Sequence, residues 1–418
     1  MKLTRRFFLK SSGIALVGMG TLPSFLLRAV AATSGATRGK ILVVLFQRGA
    51  MDGLNAVIPH AEKEYYRLRP TIAIPRPAKG NQEAALDLDG FFGLHPSLAS
   101  FKKLYDQKLL AIVQAAGSPD STRSHFDAQD FMESGTPGIK STSDGWLNRY
   151  LGAKPAEPTS SFRAVSATSQ LPRILQGTTP ALAIPRLEQF SIRAGRYTET
   201  VRGGLEALYG SSGDALLTPT AKETFEAMDV LERLNQAGYQ PGNGAQYPGN
   251  PLGQSLRQVA QLIKANIGLE VAFAEVGGWD HHVNEGGAQG QLANLLRFFS
   301  ESVSAFVTDL GDRMGDVVLV TLSEFGRTAF ENGNRGTDHG HANALFVIGG
   351  AVKGGKVYGQ WPGLEREQLF EGRDLALTTD FRDVLGEVLV HHLGAADLKP
   401  VFPTYAVNPE KFRRFLKT

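Results

Sequence analysis

Five apolar runs constrain this chain more than any other feature: ILVVLF (41 to 46), LLAIVQAAG (109 to 117), LEVAFAEV (269 to 276), VVLVTL (317 to 322) and ALFVIGG (344 to 350). Each is apolar at almost every position rather than at every second one. An alternating strand wets one face, whereas a near-continuous run is covered on both, as in sheets flanked by helices. Between the runs stand segments of helical spacing: 97–107, HFDAQDFMES closed by Gly135, and QLANLLRFFSESVSAFVTDLGDRM (291 to 314), which is long enough for a crossover. The alternation predicts an α/β fold with a mostly parallel central sheet and helices on both faces.

Residues 152–253 interrupt the pattern with Pro, Gly and Thr, and helical spacing returns only near 198–209 and 220–237. Long non-periodic stretches belong to functional rims or linkers, so this segment reads as an insertion or cap on a single domain spanning 40–418, with a separate domain as the alternative.

Polar residues gather where the runs end. Asp52 lies in RGAMDGLN after the first run; Ser121, Thr122 and Ser124 follow the second. Asp280, His281 and His282 follow the third through Gly277, Gly278 and Trp279. Glu324 and Arg327 follow the fourth, and GTDHGHANALFVIGG then places Asp338, His339 and His341 within four residues of a chain holding nine histidines. Carboxyl ends of strands form the ligand edge of open α/β sheets. Without cysteine, Asp and His are the side chains for Zn²⁺, and carboxylate-rich sets also take Mn²⁺ or Mg²⁺. If the loop is extended, His339 and His341 point to one side and Asp338 to the other, so one loop could serve two neighbouring ions.

The hydroxyls of SPDSTRS have two readings. Ser124 stands three residues before Asp127, as a helix N-cap would, and a helix N-terminus also suits an anion and the hydroxyl that attacks it. His125 lies beside this candidate nucleophile. Arg327 is either an anion-binding fork or an ion-pair partner of Glu324. His60, His95, His391 and His392 are scattered and read as ordinary polar side chains.

The N-terminus, MKLTRRFFLKSSGIALVGMGTLPSFLLRAVAA, resembles a bacterial twin-arginine export signal: Arg5 and Arg6, a moderately apolar stretch, then Ala29-Val30-Ala31 for cleavage. Gly13, Gly18, Gly20 and Pro23 weaken it as a membrane span. The expected organisation is a signal at 1–31, a linker at 32–39 and one exported domain, delivered by the twin-arginine translocase to the periplasm or beyond. Lys2, Arg5, Arg6, Lys10 and Arg28, with no acid among them, outweigh the formal charge of +3, so the remainder is slightly acidic. Nucleic-acid binding thereby loses its support. An exported chain without cysteine has no disulfide framework.

Taken in order, RRFFLK, LFQRGAMDGLN, TRSHFDAQDFMESG, GGWDHH, LSEFGRT and GTDHGHANALFVIGG resemble domain-of-unknown-function family 1501, which is placed in the alkaline-phosphatase/sulfatase superfamily. The resemblance implies a parallel-sheet core, a two-metal site fed by Asp and His, and a Ser or Thr nucleophile at a helix N-terminus. It assigns Asp52 as the acid after the first strand, Asp280 with His282 to one metal, Asp338 with His339 to the other, and His341 as a late ligand; His281 becomes structural. Three departures stand out. Asp52 lies six residues beyond Phe46, the spacing Asp280-x-His282 is short, and Glu324 occupies a place where relatives carry Asp-His, so Glu324 and Asp338 compete for one role. The sequence also lacks cysteine and a Ser-x-Pro-x-Arg order, against a modified-nucleophile sulfatase.

Two functions are therefore expected. The first is an exported metal-dependent hydrolase of phosphate or sulfate esters, using divalent ions and Ser124, Thr122 or Ser121, with Arg327 or His125 assisting substrate charge or protons. The second is a catalytically silent member of the fold that binds an anionic envelope polymer.

Overall fold

A computed structural model describes residues 38–154, 160–189, 197–210, 225, 228–234 and 238–417. The export signal, most of the linker and most of the expected helix at 220–237 lie outside the described residues.

The apolar runs form a nine-stranded sheet. Its strands are β1 (Ile41–Gln47), β2 (Leu110–Gly117), β3 (Ala164–Ser166), β4 (Leu182–Ala183), β5 (Val271–Val276), β6 (Val317–Ser323), β7 (Asn343–Gly349), β8 (Lys356–Tyr358) and β9 (Thr379–Asp380). The spatial order is β8-β2-β7-β6-β1-β5-β3-β4, with β9 also on β2. All pairings are parallel except those of β7, which runs antiparallel to β2 and β6. No helix is described between β6 and β7, and a parallel return would need a crossover. Residues 152–253, expected as a cap, contribute β3 and β4 to one end of this sheet, so that part of the segment is core.

Both faces are covered, as the apolar runs require. Ile41, Val43 and Leu45 of β1 join one buried cluster while Leu42, Val44 and Phe46 join the other, because alternate side chains point to opposite faces. The first cluster takes α2 (Pro251–Lys264) and α3 (Gln291–Leu310) through Val259, Leu262, Phe299 and Phe306. The second takes α4 (Phe381–His391) through Val384, Leu385 and Val388. Each such buried side chain contributes about 1.5–3 kcal/mol relative to exposure.

The single reversed strand decides what meets at one edge. Strands β1, β2, β5 and β6 are mutually parallel, so their carboxyl ends share that edge, and β7 brings its amino end there. The loops after Gln47, Gly117, Val276 and Ser323, and the stretch leading into Asn343, therefore converge.

Candidate metal centre

The loop after β2 leads into α1 (His125–Ser134). Ser124 caps it, its side chain accepting from the Asp127 N–H, and Gly135 ends it in the left-handed conformation with φ 68°. The cap sets His125 in the first turn, facing the sheet edge.

Three imidazoles meet there around one carboxylate. Asp280 Oδ1 lies 3.0 Å from His282 Nε2 and 3.3 Å from His339 Nε2, and Oδ2 lies 3.4 Å from His125 Nε2. His282 Nε2 and His339 Nε2 are 2.9 Å apart. Among the described residues, His125, Asp280 and His339 form the group whose ligand atoms all lie within 4.8 Å of one another.

Each ring turns its other nitrogen to an acceptor. His339 Nδ1 lies 2.7 Å from the Arg123 carbonyl, which can only accept, so Nδ1 donates. His125 Nδ1 faces Glu324 Oε1 at 2.8 Å, and His282 Nδ1 faces Asp338 Oδ1 at 2.9 Å. With protons on the three Nδ1 atoms, the three Nε2 lone pairs are left facing Asp280, and those of His282 and His339 also face each other. The His125 Nε2 is buried and has no hydrogen-bond partner. His125, Asp280 and His339 could hold a divalent cation, since imidazole nitrogen and carboxylate oxygen are its usual ligands where no thiol is present. Carboxylate or carbonyl behind each imidazole is the usual orienting arrangement for metal-binding histidine.

The supporting carboxylates are themselves held. Glu324 follows β6 and is buried; its Oε1 also accepts from Gln129 Nε2 at 2.9 Å and the Gly49 N–H at 2.8 Å. Gln129 lies four residues beyond His125, one turn along α1, so helical spacing aims both at Glu324. Burial opposes ionisation of Glu324, but the His125 and Gln129 hydrogen bonds outweigh it and keep the carboxyl below its ordinary range. The bond to Glu324 in turn raises His125 above the usual histidine range, and burial pushes His339 below it. Asp338 also accepts from Asn332 Nδ2 at 3.1 Å.

Packing brings the loops together. Trp279 is buried, its Nε1 donates to the Val276 carbonyl at 3.0 Å, and it meets Phe299 edge-on. Gly49 has φ 115°, and a Cβ there would stand 2.9 Å from the Asp280 nitrogen; only glycine allows this approach.

Other expected residues take different places. Arg327 is fully buried: Nε donates to the Ala50 carbonyl at 2.7 Å, Nη1 to Thr337 at 3.2 Å, and Nη2 to Gly49, Trp279 and Asp280 Oδ1 at 2.6, 3.0 and 2.6 Å. It ties three loops together and pairs with Asp280 rather than Glu324. Asp52 is spent on Arg69, with Oδ1 accepting from Nη2 at 3.1 Å and Oδ2 from Nη1, and it caps the short helix Gly53–Ala56. His341 stacks on Phe370 with ring centroids 4.3 Å apart, and no described side-chain contact joins it to the triad, so it does not share a side with His339 as an extended loop would have required. Thr122 Oγ1 accepts from the Ser124 N–H at 3.3 Å, and Ser121 is exposed. No described hydrogen bond joins Ser121, Thr122 or Ser124 to the cluster. Sequence reasoning missed Arg123, whose carbonyl orients His339, and Gln129, whose spacing from His125 was the available signal.

A family model described as "Protein of unknown function (DUF1501)" matches residues 39–399. No curated protein matches the chain in sequence. Among solved structures, the chain is similar to PsFucS1 sulfatase from Pseudoalteromonas sp. (11% identity, TM-score 0.39, covering 87% of this chain and 69% of that one). It is also similar to the zinc complex of the C-terminal periplasmic domain of EcEptC from Escherichia coli (10%, 0.36, 79% and 77%) and to the lipoteichoic acid synthase LtaP from Listeria monocytogenes (10%, 0.35, 91% and 75%).

Proposed function

The chain belongs to the DUF1501 family, and from that premise we propose that it is an exported, metal-dependent hydrolase of phosphate or sulfate esters. The observation that carries the reading is the convergence of three imidazole Nε2 atoms on Asp280, each ring backed by an acceptor on Nδ1. His125, Asp280 and His339 would hold a divalent ion, with His282 completing the set. Glu324, Asp338 and the Arg123 carbonyl orient the rings. A bound divalent ion supplies charge neutralisation to an ester oxygen.

The cluster opens to solvent, with the Asp280 side chain 43% exposed, so a substrate has access. Ser124 begins the adjoining helix, and its hydroxyl, while accepting from Asp127, keeps its own proton to donate. It is our choice of nucleophile over Thr122 and Ser121 because it caps the N-terminus of α1 directly beside His125. We assign export to the twin-arginine signal of the sequence; among the described residues no helix is long and apolar enough to cross a membrane.

The test is elemental analysis of purified protein together with turnover of aryl phosphate and aryl sulfate esters. Wild type should hold metal and hydrolyse one class; Asp280→Asn and His339→Ala should lose both while staying folded. Equal turnover in folded, metal-free Asp280→Asn would sink the reading. The absence of a hydrogen bond between any candidate hydroxyl and a base favours the second reading, a binder of an anionic envelope polymer. Metal-loaded wild type that binds a polyanion without turning over either ester would select it.

A further inference from the structure

Arg373 is the cation of the centre whose donors are least engaged. It stands on the tight turn Phe370–Asp374, in which Glu371 and Gly372 take φ of 53° and 64°. The turn is fastened to the site: the Ala329 N–H donates to the Arg373 carbonyl at 3.1 Å, and Arg373 Nη2 donates to the His339 carbonyl at 2.9 Å. Its charge reaches Asp338 as well. Its nearest carboxylate, Asp374, lies 3.7 Å from Nη1 and is already held by Arg123 through bonds of 2.6 and 3.1 Å. The Arg373 side chain is 30% exposed, whereas that of Arg327 is wholly buried with its donors spent on backbone and Asp280.

We propose that Arg373 binds the anionic group of the substrate beside the metal centre, and that the group is a tetrahedral oxyanion of the phosphate type. The bond to the His339 carbonyl pins the guanidinium against a cluster residue, while Nε and Nη1 keep donors for an incoming oxygen. A planar, permanently charged fork suits such oxygens. This inference names the substrate-binding cation of the hydrolase reading and rests on it for the metal centre.

The experiment uses the metal-loaded full chain, with inorganic orthophosphate as the probe in calorimetry, alongside metal affinity and aryl phosphate turnover. Loss of one charge-assisted contact in Arg373→Gln should weaken phosphate binding roughly 10- to 100-fold and raise KM more than it lowers kcat. Arg373→Lys should restore part of the binding, and metal affinity should stay within about twofold in both variants, since no cluster atom is removed. Undiminished phosphate binding in Arg373→Gln overturns the proposal, as does wild type that binds no phosphate. A loss of phosphate binding matched by an equal loss of metal affinity also overturns it, because Arg373 would then merely position His339. Phosphate binding that depends on Arg373 in a protein with no ester turnover supports the anion site and removes the hydrolase reading. Turnover unaffected by Arg373→Gln does the reverse.

Discussion

His282 Nε2 and His339 Nε2 stand 2.9 Å apart, with the Nδ1 of His282 held by Asp338 and that of His339 by the Arg123 carbonyl. Two neutral rings so oriented point lone pairs at each other, an arrangement relieved by a cation or by a proton shared at the cost of charging one ring. A divalent ion should therefore stabilise the folded chain. Titration with Zn²⁺ or Mn²⁺ should raise the melting temperature of wild type, and at a hundredfold excess over Kd the gain is about 2.7 kcal/mol. His339→Ala should show no such rise; an equal rise in that variant would place the ion elsewhere.

Glu324 acts on the centre through His125, whose Nδ1 it faces at 2.8 Å. Glu324→Gln keeps the shape of the side chain but removes the charge behind Nδ1, and loss of such an orienting carboxylate lowers metal affinity roughly 10- to 100-fold. Gln129→Leu removes one donor to the same oxygen and should cost less. Chelator competition measures both, and an affinity unchanged in Glu324→Gln would contradict the arrangement.

Ser124 carries a structural role whatever its chemistry. Ser124→Ala should lower stability by about 1 kcal/mol through loss of the helix cap, whereas Ser124→Gly should cost only a few tenths. If Ser124 attacks the ester, both variants lose turnover alike. Turnover that follows stability instead, surviving in Ser124→Gly, removes Ser124 as nucleophile.

Glu285 and Asp52 are buried together beside Arg69, and Thr337 Oγ1 donates to Glu285 Oε2 at 2.7 Å. Burial, reinforced by the Asp52 charge, pushes Glu285 well above the ordinary glutamate range. Burial also opposes ionisation of Asp52, but Arg69 wins and holds it below the aspartate range. The signs are opposite. The folded chain keeps the Glu285 proton more tightly than the unfolded chain, so that contribution is complete at low pH and lost as pH rises from the ordinary glutamate range toward the folded value. The Asp52 contribution is present above the ordinary aspartate range and lost as pH falls through its depressed value. Glu285→Gln should therefore gain stability on wild type as pH rises above the ordinary glutamate range in urea unfolding of the chelated protein. Parallel curves for the two proteins would refute this coupling.

Much of the architecture was legible because burial on two faces leaves a mark on every residue of a strand. ILVVLF, LEVAFAEV and VVLVTL announced β1, β5 and β6, and Ser124 and Gly135 bracketed α1 by cap chemistry that is local. ALFVIGG announced β7 equally well but not its direction, since an apolar run reads the same for either orientation. The short strands β3 and β4 escaped notice because two or three residues show no period.

The site divides along the same line. Residue types and loop positions, with Asp280, His282 and His339 at strand ends and no cysteine anywhere, were matters of the sequence itself, since ligand chemistry belongs to the side chain. Which nitrogen faces which oxygen was decided only by the tertiary structure. The reversal of β7 brings His339 to the edge where β5 delivers Asp280 and α1 delivers His125, and the choice between Glu324 and Asp338 becomes a pair of hydrogen bonds to two different rings. Arg327 and Arg373 are alike as residues. One is consumed by carbonyls in the core and the other is left at the rim, because partners distant in the chain, not neighbours in it, determine which donors remain free.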